Sequence, residues 1–213
     1  MVQLQIAISV EEVSSGYVGV GITKRGLVCN TIPLKNEDEA LADLRISCIT
    51  AWGERIFLYK DSYNPLTSII ASYVDELYMG RGSSPPKITI LLPPREKMVK
   101  ALKTVRLIPK GKYTTYGELA RAIGTSPRAI GNYMAKNPVP LIIPCHRVVR
   151  SDLRVGGYSY GPIVKAFILM REGVSVDMES GKLDPSKLLR AEELVKLVGV
   201  SEAVEVWQAR IRL

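Results

Sequence analysis

GKYTTYGELARAIGTSPRAIGNYMAKNP, residues 111–138, is the stretch that decides the fold. Thr115 and Glu118 stand at T-x-x-E spacing, a capping box that predicts a helix from Tyr116. Gly124 ends it, because a helix commonly terminates on a left-handed glycine. Ser126 then caps a second helix, with Pro127 at its first position, where the missing N–H costs nothing. Two short helices around a Gly-Thr-Ser turn make a helix-turn-helix pattern. Many helical hairpins share that pattern, so its surroundings carry the argument.

Those surroundings are basic. Residues 95–172 hold 15 Lys/Arg and 4 Asp/Glu, a balance of +11, whereas the rest of the chain sums to −3 of the total +8. A block of one sign favours a polyanionic partner through counterion release, although it also suits a plain solvated surface. At 46% hydrophobic and 23% charged, the chain has the composition of an ordinary globular protein. No apolar run reaches a membrane span, and MVQLQIAISVEEV lacks signal-peptide features, so an intracellular, cytoplasmic protein without membrane contact is expected.

Upstream, VQLQIAISV (2–10) alternates as a strand does, and GYVGVGIT (16–23) and GLVCNTIP (26–33) follow across short turns. They predict a small antiparallel sheet. NEDEALADLRISCITAW (36–52) reads as a helix with an acidic first turn, and a second helix runs near 65–79. The cluster MGRGSSPPK (79–87) breaks it and marks a boundary. The expected organisation is an α+β protein in two domains. Residues 1–85 form an N-terminal α/β domain and 86–92 (with KITILL) a linker or strand. Residues 93–173 form a mostly helical domain opened by a helix behind Pro93 and Pro94, and 174–213 a helical extension. In that extension Asp184-Pro185 begins one helix and Ser201 caps another, with packing as its role.

Downstream, NPVPLIIP (137–144) is kept extended by its prolines. Next to it stand Cys145 and the only histidine, His146. A helical turn starting at Cys145 would lower the thiol pKa through its exposed amides, as would nearby Arg147 and Arg150. Sequence neighbours do not face each other, so a direct Cys–His bond is awkward and a water bridge easier. A carboxylate would hold the imidazole tautomer. Within the basic block the candidates are Glu96, Glu118, Asp152 and Glu172. Glu118 is committed to the capping box, which favours Glu172, at the end of a helix (PIVKAFILMREG) that follows the glycine loop GGYSYG (156–161). Composition by itself favours a buried structural thiol and a core histidine. Cys29 and Cys48 read as two buried free thiols, a bridge between them being conceivable chiefly in a hyperthermophile. One histidine and no CxxC pair leave no zinc site of thiolate and imidazole, and no cofactor is expected.

NPVPLIIPCHRVV, together with YGELARAIG, PRAIGNYM, GGYSYG and VKAFILMREG in that order, resembles the O6-alkylguanine-DNA alkyltransferases, closely over about 93–173. The resemblance implies a single-turnover repair protein, monomeric, that binds double-stranded DNA containing O6-alkylguanine, flips the base and moves the alkyl group to a cysteine. It assigns Cys145 as acceptor, His146 as its base through water, Glu172 as orienter of His146 and Tyr116 as proton donor to the departing guanine. Asn137 would brace the active-site turn. Arg128 would fill the gap in the duplex, with Thr115, Ser126, Ala129 and Gly131 against DNA, the small residues letting the helix backbone approach the minor groove. Pro140, Val148, Gly157, Tyr158 and Ser159 would line the base pocket, Ser159 through its backbone amide. Two departures stand out. EKMVKAL replaces aromatic residues often found in the helix before the motif, and the N-terminal zinc site of some relatives has no histidine to build it. Three readings compete with alkyl transfer: a lesion-recognition protein without chemistry, a helix-turn-helix regulator with a cysteine sensor, and a thiol hydrolase. Cys145 argues against the first. The other two predict sequence preference and many turnovers, respectively.

Overall fold

Alternation between apolar and polar residues in the first 30 positions builds a sheet in the computed structural model, which describes residues 4–53, 56–60, 64–82 and 84–203. Strands β1 (Leu4–Val13), β2 (Gly16–Thr23) and β3 (Gly26–Asn30) form the expected antiparallel meander. Helix α1 (Glu37–Trp52) starts on Asn36, whose side chain accepts from the Glu39 amide at 2.8 Å. The sheet then departs from expectation. A fourth strand, β4 (Ile56–Lys60), pairs parallel to β1, giving the order β3-β2-β1-β4 in a mixed sheet. The connection through α1 supplies the long crossover that a parallel pair requires. Helix α2 (Pro65–Tyr78) packs on β1 and β2. The run expected as a strand or linker at 87–92 forms a bridge from Ile90 to Leu27.

Ile6, Ile8, Val28 and Leu44 are buried together with Cys29 and Cys48, which form a disulfide with Cα atoms 6.0 Å apart. This corrects the expectation of two free thiols. The β3–α1 packing brings the two side chains together, a tertiary fact that spacing does not carry. Gly21 is required here, because a Cβ at that position would meet Cys29 Sγ at 2.6 Å. These elements form one compact unit with Pro138–Ile142, while Pro94–Asn137 and the described residues from Ile143 form another.

In the second unit, α3 (Glu96–Arg106) precedes a short strand β5 (Thr114–Thr115) and the helix pair α4 (Tyr116–Ile123) and α5 (Pro127–Ala135). The Thr115 hydroxyl accepts from the Glu118 amide at 3.1 Å, Gly124 is left-handed at φ 73°, and the Ser126 hydroxyl accepts from Ala129 at 3.2 Å. Only half of the capping box forms. The Glu118 carboxylate accepts from the Ala191 amide at 2.8 Å and pairs with Arg121. A single 3-10 turn, Cys145–Arg147, leads into β6 (Val148–Val149), which pairs parallel to β5. Helix α6 (Pro162–Arg171) follows.

The C-terminal segment continues this unit. Leu183 joins the cluster of Tyr113, Val149, Val155, Ala166, Leu169 and Val174. Asp184-Pro185 opens only a 3-10 turn, Pro185–Lys187, because its chain then runs extended beside Tyr113. Helix α7 (Ala191–Ala203) starts earlier than expected, and Ser201 lies inside it rather than at its cap. The expected helix beyond Ala203, and Val2–Gln3 of the first strand, lie outside the described residues.

Candidate active site

The prolines of 138–144 prevent helix, but the run is not extended throughout as expected: it bends at Pro138–Val139 and turns at Leu141–Ile142 before the 3-10 turn at Cys145. Asn137 Nδ2 donates to the Ile143 carbonyl at 2.8 Å and to Cys145 Sγ at 3.1 Å. Cys145 is a free cysteine, 6% exposed. Burial pushes its thiol up, outweighing the opposite pull of the Asn137 hydrogen bond, the Lys165 charge and the Cys145 and His146 amides. The expected net lowering is therefore reversed in the unliganded protein. Its two expected cations are engaged elsewhere: Arg147 faces Glu172, and Arg150 pairs with Asp152 at 2.9 Å on the surface.

Behind the thiol lies a buried polar row. His146 Nε2 is 3.0 Å from Glu172 Oε1. Arg147 grips the same carboxylate with two bonds, Nε to Oε2 at 2.8 Å and Nη2 to Oε1 at 2.6 Å. Arg147 also donates to the Ile108 carbonyl. Burial works against the charge on Glu172, but His146 and the Arg147 bonds outweigh it and hold the carboxyl at about 2. Burial pushes His146 down, so the imidazole is neutral near pH 7. A carboxylate only accepts, so Nε2 carries the proton and Nδ1 keeps its lone pair. Among the described residues Nδ1 is buried without a hydrogen-bond partner. It is a base with its tautomer fixed from behind.

Lys165 was not legible as a site residue. It is 1% exposed and donates to the carbonyls of Val148 at 2.7 Å and Gly157 at 3.2 Å. Its Nζ lies 5.7 Å from the Tyr116 ring centre. Burial lowers its pKa to about 8, against the pull of Cys145. Its signal is a lysine on the apolar stripe of α6, beside Ile168 and Leu169 and seven residues before Glu172. Burial raises the Tyr116 phenol, with the Cys145 charge adding to it, so this group is a proton donor at neutral pH.

Cys145 opens onto a cavity of about 360 Å³ lined also by Tyr116, Gly131, Met134, Ala135, Gly157, Tyr158 and Ser159. Two expected pocket residues do not line it. Val148 is buried, with its carbonyl turned to Lys165. Pro140 belongs to the first unit, where its carbonyl accepts from Asn30. Thr115 is buried as the α4 cap, while Ser126 and Arg128 are exposed at the start of α5 and Ala129 is half-buried. A Cβ on Gly131 or Gly157 would meet nothing within 4 Å, so the protein's own packing does not demand glycine at either place. Among the described residues no group of three His, Cys, Asp or Glu gathers as a metal site. No helix among them is long and apolar enough to cross a membrane.

Residues 96–174 match the model of the 6-O-methylguanine DNA methyltransferase DNA-binding domain. The methylated-DNA–protein-cysteine methyltransferase of Methanocaldococcus jannaschii is 36% identical over 167 residues, 78% of this chain and 93% of that protein. The structure of an O6-methylguanine DNA methyltransferase from Methanococcus jannaschii superposes with a TM-score of 0.51 at 30% identity, over 79% of this chain and 95% of that one. A Mycobacterium tuberculosis homologue crystallised with DNA shares the fold, with a TM-score of 0.58 at 18% identity over 80% and 94% of the two chains. A buried free thiol beside a helix-turn-helix, in a chain with these relatives, is the arrangement of a cysteine group-transfer protein that works on DNA. The chain belongs to the methylated-DNA–protein-cysteine methyltransferase family.

Proposed function

We propose that this protein repairs DNA directly by moving an alkyl group from O6 of guanine to Cys145, once per molecule. The observation that carries this is the placement of a free thiol in the wall of a base-sized cavity, with the Glu172–His146 pair behind it. Duplex DNA containing O6-alkylguanine is the partner, and the cell interior is the location. Residues 93–173 act on the lesion, while 1–85 and 174–213 support them. Helix α5 enters the minor groove through Ala129 and Gly131, Thr115 and Ser126 lie against the backbone, and Arg128 fills the place of the extruded base. That insertion offsets the few kcal/mol of unstacking that flipping costs. Gly157, Tyr158 and Ser159 hold the base.

The thiol is mostly protonated when buried, so a base is needed. The Cys145 proton passes through water to His146 Nδ1, whose imidazolium is stabilised by Glu172. The thiolate attacks the alkyl carbon, the S–C bond forms and the C–O bond breaks. The released electron pair stays on guanine, which takes a proton from Tyr116. The imidazolium proton then returns through solvent to the Tyr116 phenolate, so that in net terms thiol and O6-alkylguanine become thioether and guanine. A thioether offers water no leaving group, so the reaction stops there.

Incubation with a duplex carrying O6-methylguanine tests this by intact mass. One methyl per protein is expected, and none in Cys145→Ala. An unchanged mass in well-folded wild-type protein would refute the assignment.

A further inference from the structure

The strip of chain that precedes Cys145, Pro138–Ile142, is packed as part of the N-terminal unit. Asn30 bonds that strip at two points. Its backbone N–H donates to the Pro138 carbonyl at 2.9 Å, and its side-chain Nδ2 donates to the Pro140 carbonyl at 3.1 Å and to the Thr31 carbonyl at 2.9 Å. The orientation of this side-chain amide follows from its partners, since two carbonyls demand an NH₂ group and would repel Oδ1. Asn30 is fully buried, and its neighbour Cys29 is bonded to Cys48 of α1, so the clamp stands on a covalently fixed strand end.

What it clamps is strained. Leu141 lies at φ 69°, a region that suits glycine, and is 3% exposed. Such a residue persists only where its surroundings over-determine it. Asn30 holds the carbonyls before Leu141, and Asn137 holds the Ile143 carbonyl after it while also touching Cys145 Sγ. Two asparagines thus bracket one strained residue, four positions before the turn that starts at Cys145.

We infer that Asn30 is a positioning residue for alkyl transfer: by fixing Pro138 and Pro140 it holds the strained Leu141 turn, and through it the sulfur, in attacking geometry. This rests on Cys145 being the acceptor. It gives the N-terminal unit a task in the reaction beyond support.

The test uses full-length protein and two readouts. Single-turnover transfer from an O6-methylguanine duplex separates the limiting rate constant from DNA affinity. Alkylation of Cys145 by iodoacetamide across a pH series reads the thiol without DNA. Asn30→Ala is expected to lower the limiting rate about tenfold and slow iodoacetamide at Cys145, with DNA affinity changed less than about twofold, because sub-ångström misplacement acts on the chemical step. Ile70→Ala, which empties a buried position in α2, controls for lost stability and is expected to keep both rates. Asn30→Ser retains one donor and gives intermediate rates, which keeps the test alive should Asn30→Ala not fold. Wild-type rates in both Asn30 variants, or an equal loss in Ile70→Ala, would overturn the inference. Failure of wild-type protein to take a methyl would instead count against Cys145 as acceptor, and the iodoacetamide arm would still decide the role of Asn30.

Discussion

Glu172 carries the most consequential charge in the site, and its environment makes acid the natural probe. Its folded pKa of about 2 lies below the ordinary 4.5, so the group stabilises the fold above pH 4.5 and that contribution is lost as pH falls toward 2. Urea unfolding followed between pH 7 and 2 should show this loss in the lower window. Glu172→Gln should flatten it and, by leaving buried Arg147 without its counter-charge, cost about 3–5 kcal/mol at pH 7. Gly131 gives the opposite kind of prediction. It sits inside α5 with open space where a Cβ would go, so Gly131→Ala should stabilise the protein by about 1 kcal/mol through helix propensity. The same methyl would stand against the incoming DNA, so transfer from a duplex should slow while iodoacetamide alkylation of Cys145 does not. A variant both more stable and as fast on DNA as wild type would show that α5 does not approach the helix closely.

At the level of elements, the bond between Glu118 and the Ala191 amide ties the first helix of the DNA-binding pair to the start of α7. Glu118→Ala should leave that amide without its acceptor and cost about 1–3 kcal/mol, measured by chemical denaturation. Glu118→Gln should recover part of it. An unchanged midpoint in Glu118→Ala would show that α7 does not lean on this contact. This bond was hidden from the sequence for the same reason as β4 and the disulfide: each joins segments whose partners only the tertiary fold selects. Local signals fared differently. Asn36, Thr115, Ser126 and Gly124 mark helix ends by chemistry confined to a few residues, and those ends fall where the residues place them. IFLYK is apolar on both faces and five residues long, so no alternation announces it as β4. In the site, the grouping of Cys145, His146 and Glu172 was legible from their order along the chain and a family motif, against what composition alone favours. Lys165 was not, because a buried lysine breaks the rule that reads charge as surface.

For the molecule as a whole, charge segregation should separate binding from chemistry. The excess of +11 in residues 95–172 is set against −3 elsewhere, so the basic character belongs to the part that carries α4, α5 and Cys145. Contacts to phosphate release counterions, and a protein that neutralises about 6–10 phosphates loses roughly 10³–10⁵ in affinity between 50 and 200 mM salt. The second-order rate of repair on a methylated duplex should fall steeply over that range, and little with the sequence flanking the lesion, since phosphate contacts carry no base information. Free O6-methylguanine base is neutral and reaches the same cavity without phosphates. Its slower reaction with Cys145 should therefore be nearly independent of salt, because the Glu172–His146 pair is buried and screened little by ions. Equal salt slopes for duplex and free base would mean that salt acts on the site itself, and the basic segment would then need another partner to explain it.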